Sequence, residues 1–396
     1  MKFIKISNFP QERIYVLLSE KYRKFLIEKS MKKLTCKNYF ELSLWINKTF
    51  KTKFNGGDVK YWIEGKRGDK RTNKIHPKFM PLWLVQRLSK LNKEKIEGIQ
   101  RNVISYRSGG SGLIINSPKL PIKVTPELDS IVIHLLGDGA AGDFTPSYTQ
   151  KNKQPFDNFI EKLENCFGNF QKSIYFTQGK HQIKFPKAIT DIISKHYSII
   201  SYRSHDSKIP NAILNRRDTK YKLACIASFI VDEGNIRDII VLYSSNRILL
   251  SQIRQLVLDC GYNCTKIKLN KKANSYMFGL RNKDIEKFYN DLIKLSKEFS
   301  TCNLSFKDKD AKFILERRKN KNPKSSKITD KIILNILKKD SFSAKQISRL
   351  SGYAYCTILH HLEKLYKNKR ITRKKNQDRI YLWKLCGILE KIKILD

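Results

Sequence analysis

Two acid–glycine pairs carry the most chemistry in this 396-residue chain, Asp138-Gly139 and Glu233-Gly234, 95 residues apart. Each closes an apolar run of helical character. The first opens on Thr125-Pro126, a good N-cap followed by a proline suited to the first helical position, and ends Ile131-Val-Ile-His-Leu-Leu-Gly-Asp-Gly139. The second opens on Asp218 and ends Ile226-Ala-Ser-Phe-Ile-Val-Asp-Glu-Gly234. The C-terminus of a helix carries negative partial charge, so Asp138 and Glu233 stand at the unfavourable end. A single acid–glycine ordinarily marks a turn or C-cap, and Gly139 is expected as a left-handed helix stop. Repetition at the end of two buried-type helices asks for more. Packed side by side, the helices bring both carboxylates together with nearby carbonyls, and such a hard-oxygen site suits Mg²⁺.

The elements that must position these acids repeat as well. After Gly139 the sequence predicts a helix over 155–167, strands over 172–176 and 182–185, and a helix over 188–195. After Gly234 it predicts a strand over 238–243, a helix over 246–260, strands over 265–269 and 275–280, and a helix over 283–295. Each half reads αββαββα, the strands nearest each acid being the least marked. Gly168 and Gly261 close the matching middle helices.

On these residues the centre, over about 118–300, resembles the LAGLIDADG homing endonuclease family in its single-chain, two-motif form. The resemblance implies an α+β fold of two pseudo-symmetric halves whose motif helices pack at a pseudo-two-fold axis, with saddle-shaped sheets straddling DNA. It implies that Asp138 and Glu233 bind the catalytic Mg²⁺ at the scissile phosphates. A basic strand residue often assists in this family; the matching candidates are Lys184 in the first half and Arg281 or Lys283 in the second. Tyr148, Gln150, Lys172, Arg237, Lys266 and Lys268 would read or grip the duplex. Two features depart from the family pattern. Small residues are usual where the helices meet, and Ala224, Ala227 and Ser228 satisfy this, whereas the first copy has Ile133 and His134 and implies looser or asymmetric packing. The stretch after Gly139 is also poor in apolar alternation.

The flanks read as DNA-binding modules. Tyr39–Phe50, the break at Asn55-Gly-Gly-Asp58 and the short helix Val59–Gly65 follow a helix-turn-helix pattern, with a third helix over 78–91. Val59, Trp62 and Ile63 face its core while Lys60 and Tyr61 project towards DNA. Beyond residue 327, helices over 328–338, 343–350 and 353–366 precede a basic hairpin over 367–383. That order resembles a winged helix, with Tyr355, Thr357, His360 and Lys364 facing the groove and Arg373, Lys374 and Lys375 on phosphates. His360-His361 reads as a helix-surface pair. The domains expected are therefore 1–107 (helical, helix-turn-helix), 108–210 and 211–316 (the two halves) and 327–396 (winged helix), with junctions at Ser108–Gly112 and Arg317–Ser326.

Charge agrees with this division. The chain has 79 Lys+Arg and 36 Asp+Glu, a formal net charge of +43, and 40% hydrophobic residues. That is enough apolar material to exclude a disordered basic tail, and such a charge asks for a polyanion. The net charge is +19 over residues 1–125, +8 over 126–300 and +16 over 301–396. No apolar run reaches the length of a membrane span and no signal-peptide pattern opens the chain, which predicts a cytoplasmic or nucleoid-associated protein. The eight cysteines form no Cys-x-x-Cys pair and read as reduced thiols. Met1 and the ending Ile394-Leu-Asp396 argue against an intein, and Gly-Asp-Gly lacks a phosphate-loop pattern. The reading is a monomeric, Mg²⁺-dependent, site-specific double-stranded DNA endonuclease. The alternatives are a non-cleaving transcription regulator on the same fold and an intron RNA-binding maturase.

Overall fold

The computed structural model describes residues 2–67, 75–76, 78–109, 112–142, 145–203, 205–271, 273–319, 326–376 and 380–386. Parts of the expected glycine-serine junction (110–111), of the stretch after Gly139 (143–144) and of the basic linker (320–325) lie outside the described residues.

Two helices form the centre. The first, Pro126–Gly137, is capped by Thr125, whose hydroxyl accepts from the Leu128 N–H. The second, Thr219–Glu233, is capped by the Asp218 carboxylate, which accepts from the Lys220 N–H. Both are buried along most of their length, and they pack against each other more extensively than any other two described elements. An apolar helix buried on all sides needs partners around it, and the two halves supply them. In the first half the sheet order is 173–177, 180–184, 147–150, 139–140; in the second it is 268–270, 275–279, 240–244, 234–236. Counted in chain order within each half, both sheets run third, fourth, second, first, with antiparallel pairing throughout.

Helices Lys153–Phe167 and Lys187–Tyr197 accompany the first sheet, and Arg247–Asp259 and Ile285–Glu298 the second. Gly168 (φ +94°) and Gly261 (φ +75°) end the two middle helices in the left-handed region, as the spacing predicts. The strand expected over 265–269 is shorter, Lys268–Asn270. The reason is local: the Thr265 hydroxyl takes the Gly279 N–H at 2.9 Å, and Cys264 forms only an isolated bridge with Leu280.

The N-terminal region corrects the helical expectation. Ile14–Leu18 alternates buried and half-buried residues, the period of a strand. It joins a five-stranded sheet in the order 168–170, 115–118, 103–108, 14–18, 80–81. The expected boundary at 107/108 therefore falls within the strand Val103–Ser108, and one continuous apolar core runs from Ile4 to Ile314. The helices Tyr39–Phe50 and Gly56–Glu64 do form, joined at Asn55, which makes a capping box with Asp58. Val59, Trp62 and Ile63 point into the core, as their spacing requires.

The C-terminal region has its own core around Ile333, Ile347, Ile358, Leu362 and Trp383. Helices Ser326–Leu337, Ala344–Ser351 and Tyr355–Lys367 precede a hairpin of Ile371–Lys375 and Tyr381–Leu385, to which Phe342–Ser343 adds a third strand. Ser343 makes a capping box with Gln346, and Gly352 (φ +71°) supplies the turn. No helix among the described residues is long and apolar enough to cross a membrane.

Candidate functional site

The two motif helices end together. Asp138 caps the first, its N–H donating to His134 O at 3.1 Å, and Glu233 is the last residue of the second. Gly139 is not a left-handed stop: neither it nor Gly234 has a positive φ. Both are glycine because the outgoing strand lies against the helix end. A β-carbon at 139 would sit 2.6 Å from Leu135 Cα, and one at 234 would sit 2.6 Å from Ile230 O.

A third carboxylate joins the two acids. Asp232 is fully buried as a side chain. Its Oδ1 accepts from Tyr148 Oη at 2.8 Å and Gln150 Nε2 at 3.0 Å, and its Oδ2 lies 2.8 Å from His134 Nδ1. Gln150 Nε2 also donates to Asp138 Oδ2. Burial, then the Asp232 charge, pushes the Asp138 carboxyl up to about 7. Burial pushes Asp232 up to about 7 as well. Glu233 is pushed up to about 7 by burial, then by Asp138 and Asp232. Three acids that resist ionisation in one place are what a desolvated carboxylate cluster produces.

Lys307, on the short turn Ser305–Lys307, is a cation that bears on all three acids. Its Nζ donates to the carbonyls of Ile230 (2.7 Å), Val231 (2.7 Å) and Gly234 (2.6 Å), around the end of the second motif helix. Burial pulls its ammonium down to about 8, against the pull of the acids.

Several expected site residues stand elsewhere. Tyr148 is fully buried with its hydroxyl on Asp232, and Gln150 is buried between two carboxylates, so both belong to the acid cluster and do not read a duplex. The strand cation that bears on Asp138 is Lys180, whereas the ammonium of Lys184 lies 5.3 Å over the Tyr175 ring. In the second half Lys307 bears on Glu233; Arg281 sits exposed at the turn before the last helix, where its charge bears on Cys264, and Lys283 is exposed on the same turn. Lys266 and Lys268 are exposed, and Lys172, exposed beside the strand 173–177, pairs with Glu164 at 2.6 Å. Arg237 is exposed with its guanidinium 4.6 Å over the Tyr355 ring. Lys60 is exposed and lies 3.6 Å from Glu64, beside half-buried Tyr61.

On the C-terminal helix, His360 and Lys364 are exposed and Thr357 half-buried. The N-terminal turn of that helix is occupied: Asp238 accepts from the N–H groups of Tyr355 (2.8 Å) and Cys356 (2.9 Å), so Tyr355 faces the second half of the centre and not open solvent. His361 is no surface residue; it is buried, with Nδ1 2.6 Å from Asp330. Arg373 pairs with Glu363 at 2.6 Å and packs over Tyr366, Tyr381 and Trp383, while Lys374 and Lys375 are exposed.

Sequence reasoning passed over Asp232 and Lys307. Asp232 had a visible signal, an acid in the second motif at the position where the first has Gly137. Lys307 had none, since only folding returns residue 307 to the helix end at 230–234. Among the described residues no three or more His, Cys, Asp or Glu side chains converge as a metal-ligating group. The site thus offers the Asp138 and Glu233 carboxylates. That donor set fits Mg²⁺, which dehydrates reluctantly and is usually held by one or two carboxylates with waters and phosphate oxygens.

Neither a protein-family model nor a curated protein matches the chain. Among solved structures it is similar to a mesophilic variant of the homing endonuclease I-DmoI, at 17% identity and a TM-score of 0.30, covering 41% of this chain and 91% of that one. It is similar to the homing endonuclease I-WcaI bound to its DNA recognition sequence, at 18% identity and a TM-score of 0.32, covering 42% and 81%. It is also similar to full-length DUF199/WhiA from Thermatoga maritima, at 10% identity and a TM-score of 0.33, covering 63% and 93%.

Proposed function

We propose that the chain is a double-stranded DNA endonuclease of the LAGLIDADG homing type, hydrolysing phosphodiesters with Mg²⁺ held by Asp138 and Glu233. One observation carries the reading: two independently capped, buried helices pack together and deliver one acid each to a common, electrostatically coupled end. The common strand order of the two halves supports a pseudo-two-fold monomer, with each sheet offering exposed cations to one side of a duplex. The N-terminal helix pair serves as a helix-turn-helix and the C-terminal unit as a winged helix, and they extend the grip on DNA. Binding then depends steeply on salt, as expected when many phosphates are neutralised.

When bound, the metal supplies a polarised water and offsets charge at the phosphate. The chain's own residues do the rest. Asp138 is oriented by the amide of Gln150 and Glu233 by the end of its helix, whose carbonyls Lys307 fixes. Near neutral pH the cation-free carboxyls compete for protons, so cation binding must displace a proton from Asp138 or Glu233.

A second reading, a non-cleaving DNA-binding regulator, is favoured by Lys307, whose ammonium already supplies positive charge to the cluster. A randomised duplex library incubated with the protein and Mg²⁺ separates the two. The nuclease reading expects double-strand breaks that Asp138→Asn and Glu233→Gln abolish while binding persists. Binding without breaks establishes the regulator, and unchanged cutting by both variants refutes the metal assignment.

A further inference from the structure

A buried polar chain crosses the interface of the motif helices, and metal holding alone leaves it without a role. Lys162, on the middle helix of the first half, is buried with Nζ 2.9 Å from His134 Nε2 and 3.1 Å from Ser228 Oγ. An ammonium only donates, so Nε2 accepts. Nδ1 therefore carries the proton and donates to Asp232 Oδ2 at 2.8 Å. Burial and the Lys162 charge keep this imidazole neutral, well below its ordinary proton affinity. On its other oxygen Asp232 takes the Gln150 amide, and the same nitrogen reaches Asp138 Oδ2. An unbroken path thus runs from Lys162 through His134, Asp232 and Gln150 to Asp138.

Such a chain is costly to bury, and well-packed apolar residues at these places would often be neutral or stabilising. The interface is built around it nonetheless. A β-carbon on Gly137 would lie 3.3 Å from Asp232 Oδ2, so the first helix gives up a side chain where the second brings an acid. The path reaches one of the two acids only: no hydrogen bond to the Glu233 carboxylate forms among the described residues.

We infer that Asp232 is a positioning residue: from the second half it holds Gln150, and through Gln150 the first-half acid Asp138, so that the two acids are held unequally. The inference rests on the cleavage reading. Orienting groups of this kind are typically worth ~10–100-fold in activity. Loss of this hold slows the cut that depends most on Asp138 and leaves DNA nicked.

The test uses the full chain, Mg²⁺ and a supercoiled plasmid carrying a site recovered from the library, with duplex affinity measured alongside. For Asp232→Ala and Gln150→Met, duplex affinity within about twofold, a single-turnover rate lower by ~10–100-fold and accumulation of nicked circle are expected. The double variant is expected to be no slower than the slower single, because both act through one bridge. Losses that multiply, wild-type rates, or a wild-type ratio of nicked to linear product overturn the inference while leaving cleavage intact. Should Asp232→Ala fail to fold, Gln150→Met decides alone, since it keeps Lys162, His134 and Asp232 paired: a slower rate with nicked product supports the assignment and a wild-type rate overturns it. If the unaltered chain cuts nothing, the cleavage reading falls and takes this inference with it.

Discussion

Replacing Asp138 by asparagine is expected to stabilise the cation-free protein while removing its proposed activity. The carboxyl is raised from 3.8 to about 7, by burial first and by Asp232 second. Between those values the folded chain binds the proton more tightly than the unfolded chain. Stability from this group therefore falls as pH rises through that window and stays low above it. At ~1.4 kcal/mol for each tenfold in proton affinity, the penalty above pH 7 is bounded near ~4 kcal/mol. Water reaching the partly open carboxylate screens it, and ~1–2 kcal/mol is the value expected. Asparagine removes the charge but keeps an oxygen to accept from Gln150, so the gain is not cancelled by a lost hydrogen bond. Urea unfolding of both forms without divalent cation, at about pH 8 and about pH 4.5, tests this: the variant should be more stable at the higher pH, and the gain should shrink towards the lower one. Equal or lower stability of the variant at the higher pH refutes the electrostatic account of the cluster.

Lys307→Met removes three hydrogen bonds to the end of the second motif helix and a cation that bears on all three acids; a loss of ~2–4 kcal/mol in denaturant unfolding near neutral pH is expected, and a loss below ~1 kcal/mol denies the lysine that role. Gly234→Ala forces a β-carbon to within 2.6 Å of Ile230 O, so ~2–3 kcal/mol of destabilisation is expected by the same measurement, whereas tolerance would show that the helix end can shift at little cost. Asp238→Ala strips the cap from the Tyr355 and Cys356 N–H groups; hydrogen exchange there should quicken by ~10-fold or more with the motif helices unchanged, and unaltered exchange would mean that other contacts hold the C-terminal unit.

The two halves were legible because their signals are local. Caps at Thr125 and Asp218, apolar runs ended by acid–glycine, and glycines that truly need a positive φ at 168 and 261 act within a few residues of themselves. One departure noted in the first motif also had content: His134 occupies a usually small position, and there Asp232 and Lys162 meet it. The N-terminal sheet was missed because its strands are short and pair with residues far along the chain, as Ile14 does with Ser108 and Gly168 with Pro118. Tyr148 was misread because its residue type suggests base contact, while Asp232, distant in sequence, claims its hydroxyl first.

By itself the sequence determined that the chain carries two similar capped helices, that each ends in an acid, and that its +43 charge is concentrated in the flanks. These follow from local propensity and composition, which need no knowledge of partners. Only the tertiary structure decided which acids share a site, that Asp232 joins them through Gln150, and that Lys307 and not Arg281 bears on Glu233. The physical reason is desolvation: a side chain's chemistry is set by the groups that exclude water from it, and packing alone selects those groups.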